Sequence, residues 1–335
     1  MASEYETFDT SRLRLEPLAQ REHLVRLADV LAVGQAPEAF SHPALGVLAD
    51  RVLAAGGRGG TVVLMMGAHV IKEGLSRYVI DLMRRGLVDG VALNGAGAIH
   101  DFELALIGET SEDVARYIRT GRFGLWRETG RINDIVAAGA REGLGFGEAV
   151  GREIHRGSFP HRDVSILAAG CELSVPVTVH VGIGYDIIHT HPNFDAAAAG
   201  AASGRDFLIY ARLIERLEGG VLLSFGSAVM APEVYLKALS MARNVADQQG
   251  RQIRHFTTAV FDVAALPDDV SRTPPKTAPA YYYRPLKTIL VRTVADGGQS
   301  YYVRGGHRAT IPALHREIVS RRPAGGADGG APGRP

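Results

Sequence analysis

The residues best suited to chemistry gather in a glycine turn. Asn94-Gly95-Ala96-Gly97-Ala98 joins an apolar run to a helix pattern that opens near His100-Asp101. Glycines let a backbone approach a ligand, and a helix N-terminus offers unpaired N–H groups and a partial positive charge to a phosphate. Asp101, just beyond, is suited to accept hydrogen bonds from a ribose. The turn lacks the third glycine of the dinucleotide fingerprint, so a ligand loop and a plain tight turn both stay open. A second group is His180, Asp186, His189 and His191. Alternate strand residues such as His189 and His191 share a face, but no paired cysteines and no His-Glu-x-x-His helix accompany them. They read as hydrogen-bonded pocket residues rather than metal ligands. Cys171, beside Glu172 at a helix C-terminal end, reads as core, because the helix dipole there disfavours a thiolate. Tyr281-Tyr282-Tyr283 reads as a packed loop, since no basic stripe accompanies it.

The elements that must position these groups alternate. Thr61–Met66 is an apolar run ending at Gly67, followed by helical spacing through Leu75, Tyr78, Val79, Leu82 and Met83. Val88–Leu93 then leads into the glycine turn. Strand, helix, strand, glycine turn, helix is the order of a parallel sheet buried on both faces. The unit recurs: Val177–Val181, Val221–Leu223 and Arg254–Phe261 complete the expected central strands. Arg131–Gly143, Phe207–Leu217, Pro232–Arg243 and Ile311–Ser320 read as helices, and Thr110-Ser111-Glu112-Asp113 as a capped helix start. Thr288–Val294 and Tyr301–Val303 are strand-like, and the proline-rich Ala264–Pro285 reads as an ordered loop or lid. The expected fold is a doubly wound, Rossmann-like α/β parallel sheet with helices on both faces. Residues 1–60 form an N-terminal helical arm, 61–322 the main domain, and 323–335 a Gly/Ala/Pro tail expected to be disordered.

Composition excludes several function classes. The chain has 335 residues, 46% hydrophobic and 22% charged, with net charge +1, so it carries no electrostatic footprint for nucleic acid or an anionic membrane. One cysteine leaves no internal disulfide framework, which fits a reducing compartment. Met-Ala-Ser-Glu-Tyr-Glu at the start is no secretory signal, and Ser165–Ile188 carries too many polar groups to span a bilayer. A cytoplasmic protein is expected.

At Asn94–Asp101, Val221–Ser227, Thr257–Asp262 and Tyr302–Pro312 the chain resembles the deoxyhypusine synthase family, over about Thr61 to Ile318. The family's alanine-glycine-glycine turn ending in an acid is similar to Ala96-Gly97-Ala98-Ile99-His100-Asp101. Its glycine-rich strand end is similar to Leu223-Ser224-Phe225-Gly226-Ser227, its Phe-Asp strand to Thr257–Asp262, and its last small-residue turn to Gly305-Gly306-His307. The resemblance implies an NAD-dependent homotetramer with active sites between paired subunits. Such enzymes oxidise spermidine, hold the aminobutyl group as an imine on a lysine, and pass it to another amine. It implies cofactor contacts at Asn94, Gly95, Gly97, Asp101, Ser224, Gly226, Ser227, Thr257, Thr258, Asp262, Gly305 and Gly306. It implies polyamine contacts at His100, Glu172, Asp186 and His189, with Lys287 as the imine-forming lysine. The sequence departs from the family where Tyr283-Arg284-Pro285-Leu286-Lys287 replaces Trp-Gly-Lys. It departs again where Met230-Ala231-Pro232 and Val181 replace a histidine and an aspartate, and where the acidic cluster shrinks to Asp268 and Asp269. It reads as a divergent, bacterial-type branch with an altered donor or acceptor. Two alternatives remain: other chemistry by His180, His189, His191 and Asp186, or a non-catalytic nucleotide-binding oligomer.

Overall fold

Strands β1 (Val62–Met66), β2 (Gly90–Asn94), β3 (Val177–His180), β4 (Val221–Phe225) and β5 (Thr257–Asp262) are buried along almost their whole length. Their continuous apolar character follows from being covered on both faces. With β6 (Gln299–Arg304), they form a six-stranded sheet in the order 3-2-1-4-5-6, every pair parallel. This order reverses between β1 and β4, and in open α/β sheets that reversal leaves a crevice beyond the carboxyl ends of the strands. The computed structural model describes residues 4–322; the tail expected over 323–335 lies outside the described residues.

Alternation along each strand divides the core in two. Val62, Leu64, Met66, Leu223 and Phe225 point to one face. There they meet α1 (Pro43–Gly57), α2 (Ser76–Arg84), α3 (Gly95–Ile107) and α9 (His307–Arg321). Val63, Met65, Leu222 and Val260 point to the other, against α7 (Ala196–Ile214) and α8 (Met230–Gln248). Helices α4 (Arg131–Arg141), α5 (Phe146–Arg156) and α6 (Ile166–Leu173) pack beside β3 and α3. No helix of the described residues is long and apolar enough to cross a membrane.

Three local expectations are corrected. The strand expected at Thr288–Val294 is a π-helix, Leu286–Arg292. Its β-branched residues pack on α8 and β5, and threonine hydroxyls take its carbonyls: Thr258 Oγ1 donates to Ile289 O at 2.9 Å and Thr293 Oγ1 to Thr288 O at 2.9 Å. The helix expected from Thr110 begins at Val114 instead, because Ser111 turns the chain at φ 65. The segment before α1 is a strap of 3-10 turns rather than a helix. Its residues Val25–Arg26 pair antiparallel with Glu109–Thr110.

Candidate functional site

Pairing with Glu109–Thr110 fixes the strap so that Arg21 enters the body of the protein. There it meets Glu103 of α3 in a two-pronged pair, 3.0 and 2.6 Å, both side chains about 1% exposed. Thr129 Oγ1 and Thr110 Oγ1 each donate to the same carboxylate at 2.6 Å. Burial pushes Glu103 up, but the guanidinium and these hydrogen bonds outweigh it and hold the carboxyl below its ordinary value. Glu103 is therefore a fixed buried anion.

Beside this pair lies a cavity of about 230 Å³ at the carboxyl end of the sheet, lined by Arg21, Lys72, His100, Glu103, Glu112 and Asp186 among others. The left-handed turn at Ser111 directs Glu112 inward, where it accepts from Trp126 Nε1 at 3.0 Å and Gly124 N–H at 3.1 Å. Burial raises its pKa. Asp186 comes from the loop after β3 and sits on the start of α3. A Cβ on Gly95 would lie 2.0 Å from its Oδ2, and the Ala96 N–H donates to it. Burial pushes Asp186 up to about 6. His100 is drawn down to about 4, first by burial. With Arg21 and Glu103 cancelling each other, two desolvated carboxylates, a neutral imidazole and Lys72 remain to meet a ligand. Desolvated carboxylates regain their lost solvation by accepting N–H bonds from a cation.

The chain's own side chains occupy much of the Asn94–Asp101 turn. Two N–H groups at the start of α3 are taken, Gly97 donating to Asn94 Oδ1 at 3.0 Å and Ala96 to Asp186, whose carboxylate fills the place of a Cβ on Gly95. Asp101, 1% exposed, points the other way and caps α6. It accepts from Ser165 Oγ at 2.5 Å, Ile166 N–H at 2.8 Å and Leu167 N–H at 3.2 Å. Open backbone lies instead at the end of β6. Gly226 adopts φ 57, and Gly306, at the head of α9, has open space where a Cβ would stand and no side-chain cap. His307 leans over Gly226 with a buried Nδ1 that has no hydrogen-bond partner.

The remaining sequence candidates scatter. Ser227 Oγ accepts from Ala231 N–H at 3.1 Å and serves the start of α8, while Ser224 is buried in the sheet. Thr257 and Thr258 begin β5, at the end of the strand away from the crevice. Asp262 ends that strand, but Tyr283 Oη (2.6 Å) and the Val263 N–H (2.7 Å) already donate to it. Gly305 packs on Thr310 and Phe40. Glu172 lies on α6 before β3, at the opposite end of the sheet from Asp186, and pairs with Arg84 at 3.6 Å. It cannot share a polyamine with Asp186. His189 sits on a 3-10 turn, not a strand, and its Nδ1 accepts the N–H groups of Gly184 (3.1 Å) and Asp186 (3.3 Å). Lys287 is buried, its Nζ 3.8 Å from the centre of the Tyr281 ring. It belongs to the π-helix against β5, three strand spacings or roughly 14 Å from β2, so in one chain it does not face Asp186.

Arg21, Lys72, Glu103 and Glu112 escaped the sequence reading. The one available signal was α3 itself, where His100, Asp101 and Glu103 interrupt an otherwise apolar helix. Among the described residues no group of three or more His, Cys, Asp or Glu is placed to hold a metal ion.

No family model matches the chain, and no curated protein sequence does. Solved structures do resemble it. Unliganded AgrE aligns at TM-score 0.50 and 15% identity, over 84% of this chain and 34% of that one. The cyanobacterial arginine dihydrolase ArgZ aligns at 0.48 and 15%, over 83% and 32%. A structure from Entamoeba histolytica, provisionally classed as a deoxyhypusine synthase, aligns at 0.40 and 7%, over 83% and 87%. The chain spans about a third of the length of AgrE and ArgZ. At such identities the likeness is one of fold.

Proposed function

We propose that this chain is an NAD-dependent enzyme of small cationic amines, carrying out aminoalkyl transfer of the deoxyhypusine-synthase type on spermidine or a related polyamine. The observation that carries this reading is the cavity in which Asp186 and Glu112 face inward, both desolvated and neither paired with a cation. A ligand with N–H donors and positive charge satisfies both. The glycine turn at Gly306, with open space where a Cβ would stand, supplies room for a nicotinamide dinucleotide at the same end of the sheet. When bound, the dinucleotide would supply hydride acceptance for oxidation of the amine, and Lys287 would carry the aminoalkyl fragment as an imine. Its ammonium rests on the Tyr281 ring rather than on a carboxylate. Because Lys287 and Asp186 stand apart in one chain, the transfer needs the cavity of one copy to meet Lys287 of a second, within a homo-oligomer.

Calorimetry tests both ligands separately. Spermidine or 1,4-diaminobutane binds the full chain, and Asp186→Asn weakens that binding at least about tenfold, the scale of one charge-assisted hydrogen bond. NAD also binds, and Gly306→Glu, which meets open space, weakens NAD without altering the amine. An amine affinity unchanged by Asp186→Asn would remove the cavity from the reading.

A further inference from the structure

A chain of three side chains fixes which nitrogen of His100 carries its proton. Glu103 is ionised, held by Arg21 at 3.0 and 2.6 Å, and an ionised carboxylate only accepts. Thr110 Oγ1 stands 2.6 Å from Glu103 Oε2, so its single proton points there; otherwise two oxygen lone pairs would face each other in a buried site. The same hydroxyl lies 2.8 Å from His100 Nδ1. Its lone pair is what remains for the ring, and Nδ1 must donate. A neutral imidazole has one N–H, so Nε2 holds a free lone pair. Nε2 has no hydrogen-bond partner among the described residues, and unlike His189 Nε2 and His307 Nδ1 it is not a sealed, buried atom. His100 itself lines the cavity that holds Asp186 and Glu112.

We propose that His100 is a hydrogen-bond acceptor of this cavity, oriented by the Thr110–Glu103–Arg21 relay so that Nε2 meets an ammonium N–H of the bound amine. The role deepens the amine reading above and rests on it. The ammonium keeps its proton: its N–H donates to Nε2, while Nδ1–H donates to Thr110, whose hydroxyl donates to the Glu103 carboxylate. Groups facing the ring are Glu103, Lys72, Arg21 and His69, and burial together with the cations keeps the free imidazole neutral through neutral pH. Thr110, Glu103 and Arg21 are positioning residues; of these four, only His100 touches the amine.

The test reads the tautomer directly. In full-length protein labelled with ¹⁵N-histidine, long-range proton–nitrogen spectra separate protonated from bare ring nitrogens, and loss of one signal set in His100→Gln assigns the residue. The expected result is a protonated Nδ1 and a bare Nε2 at neutral pH. Thr110→Ser keeps that pattern, and Thr110→Val, which removes the hydroxyl, gives a mixture of tautomers. Addition of 1,4-diaminobutane moves Nε2 more than Nδ1. A bare Nδ1, or a tautomer indifferent to Thr110→Val, overturns the relay. An Nε2 signal unmoved at diamine concentrations that give binding heat overturns the hydrogen-bond role of His100. Absence of binding heat refutes the amine reading itself, and the tautomer then decides the relay alone.

Discussion

Three buried carboxylates in this chain show how little residue type says about role. Asp101, Asp186 and Asp206 each take up N–H groups at a helix start, and burial pushes them to about 6, 6 and 7. Only Asp186 opens onto a cavity at the carboxyl end of the sheet. Asp206 instead secures edge strand β3, its Oδ2 accepting Val179 N–H at 2.7 Å and Gly147 N–H at 2.9 Å. It lines a larger cavity of about 400 Å³, together with Arg152 and Cys171. That cavity lies by the start of β3, away from the strand ends where α/β sheets bind ligands. The folded pKa of Asp206 exceeds its unfolded value, so between about pH 4 and about pH 7 the folded state binds more protons. Its contribution is therefore full below about pH 4 and is lost as pH rises towards about 7. His100 and His180, both drawn down to about 4 by burial, act in the opposite sense over the same window. The difference between wild type and Asp206→Asn isolates the aspartate. In urea titrations at about pH 5, 6 and 7.5, the wild type should lose stability relative to the variant as pH rises. Parallel curves would show that Asp206 titrates as an ordinary carboxyl.

At the scale of elements, the start of α3 is where fold and site are the same contact. Gly95 admits the Asp186 carboxylate because it has no Cβ; one would stand 2.0 Å from Oδ2. Gly95→Ala must push that side chain off the helix start. The cost in stability should be about 1–3 kcal/mol, the range for overpacking, while affinity for a diamine drops by about tenfold or more as the charge-assisted bond is lost. Chemical denaturation and calorimetry on the same preparation check the two numbers; a variant that binds the diamine normally would mean that Asp186 does not hold it. The sequence marked this turn as special, and in the structure the chain's own Asp186 carboxylate lies against Gly95. Two glycines before a helix announce a close approach, and nothing local says whether a phosphate or the chain's own carboxylate makes it.

For the molecule as a whole, the sheet order separates the acid cavity beyond β2 from Lys287 beside β5. If aminoalkyl transfer joins them across two copies, Asp186→Asn and Lys287→Ala should each be inactive alone. Refolded together in equal amounts, they should recover roughly a quarter of wild-type activity, since half the assemblies are mixed and half of their sites are intact in a two-fold interface. Activity that stays at zero in a mixture shown to contain mixed assemblies would remove Lys287 from the site. The strap belongs to this scale too. It brings Arg21 to Glu103 across 82 positions of sequence, a pairing that only the folded chain creates.

The sequence by itself determined the sheet. Continuous apolar runs at Val62–Met66, Gly90–Asn94, Val177–His180, Val221–Phe225 and Thr257–Asp262 are a local consequence of burial on both faces, and local patterns survive in one dimension. Tertiary structure alone decided the site. Whether Thr288–Val294 extends or coils depended on the surface it packs against, and whether Asp101 or Asp186 faces the crevice depended on which helix start lay nearby. Whether Glu103 is an anion depended on a guanidinium carried in by the strap. Charge state, tautomer and direction are properties of a neighbourhood, and neighbours distant in sequence leave no periodicity by which they can be read.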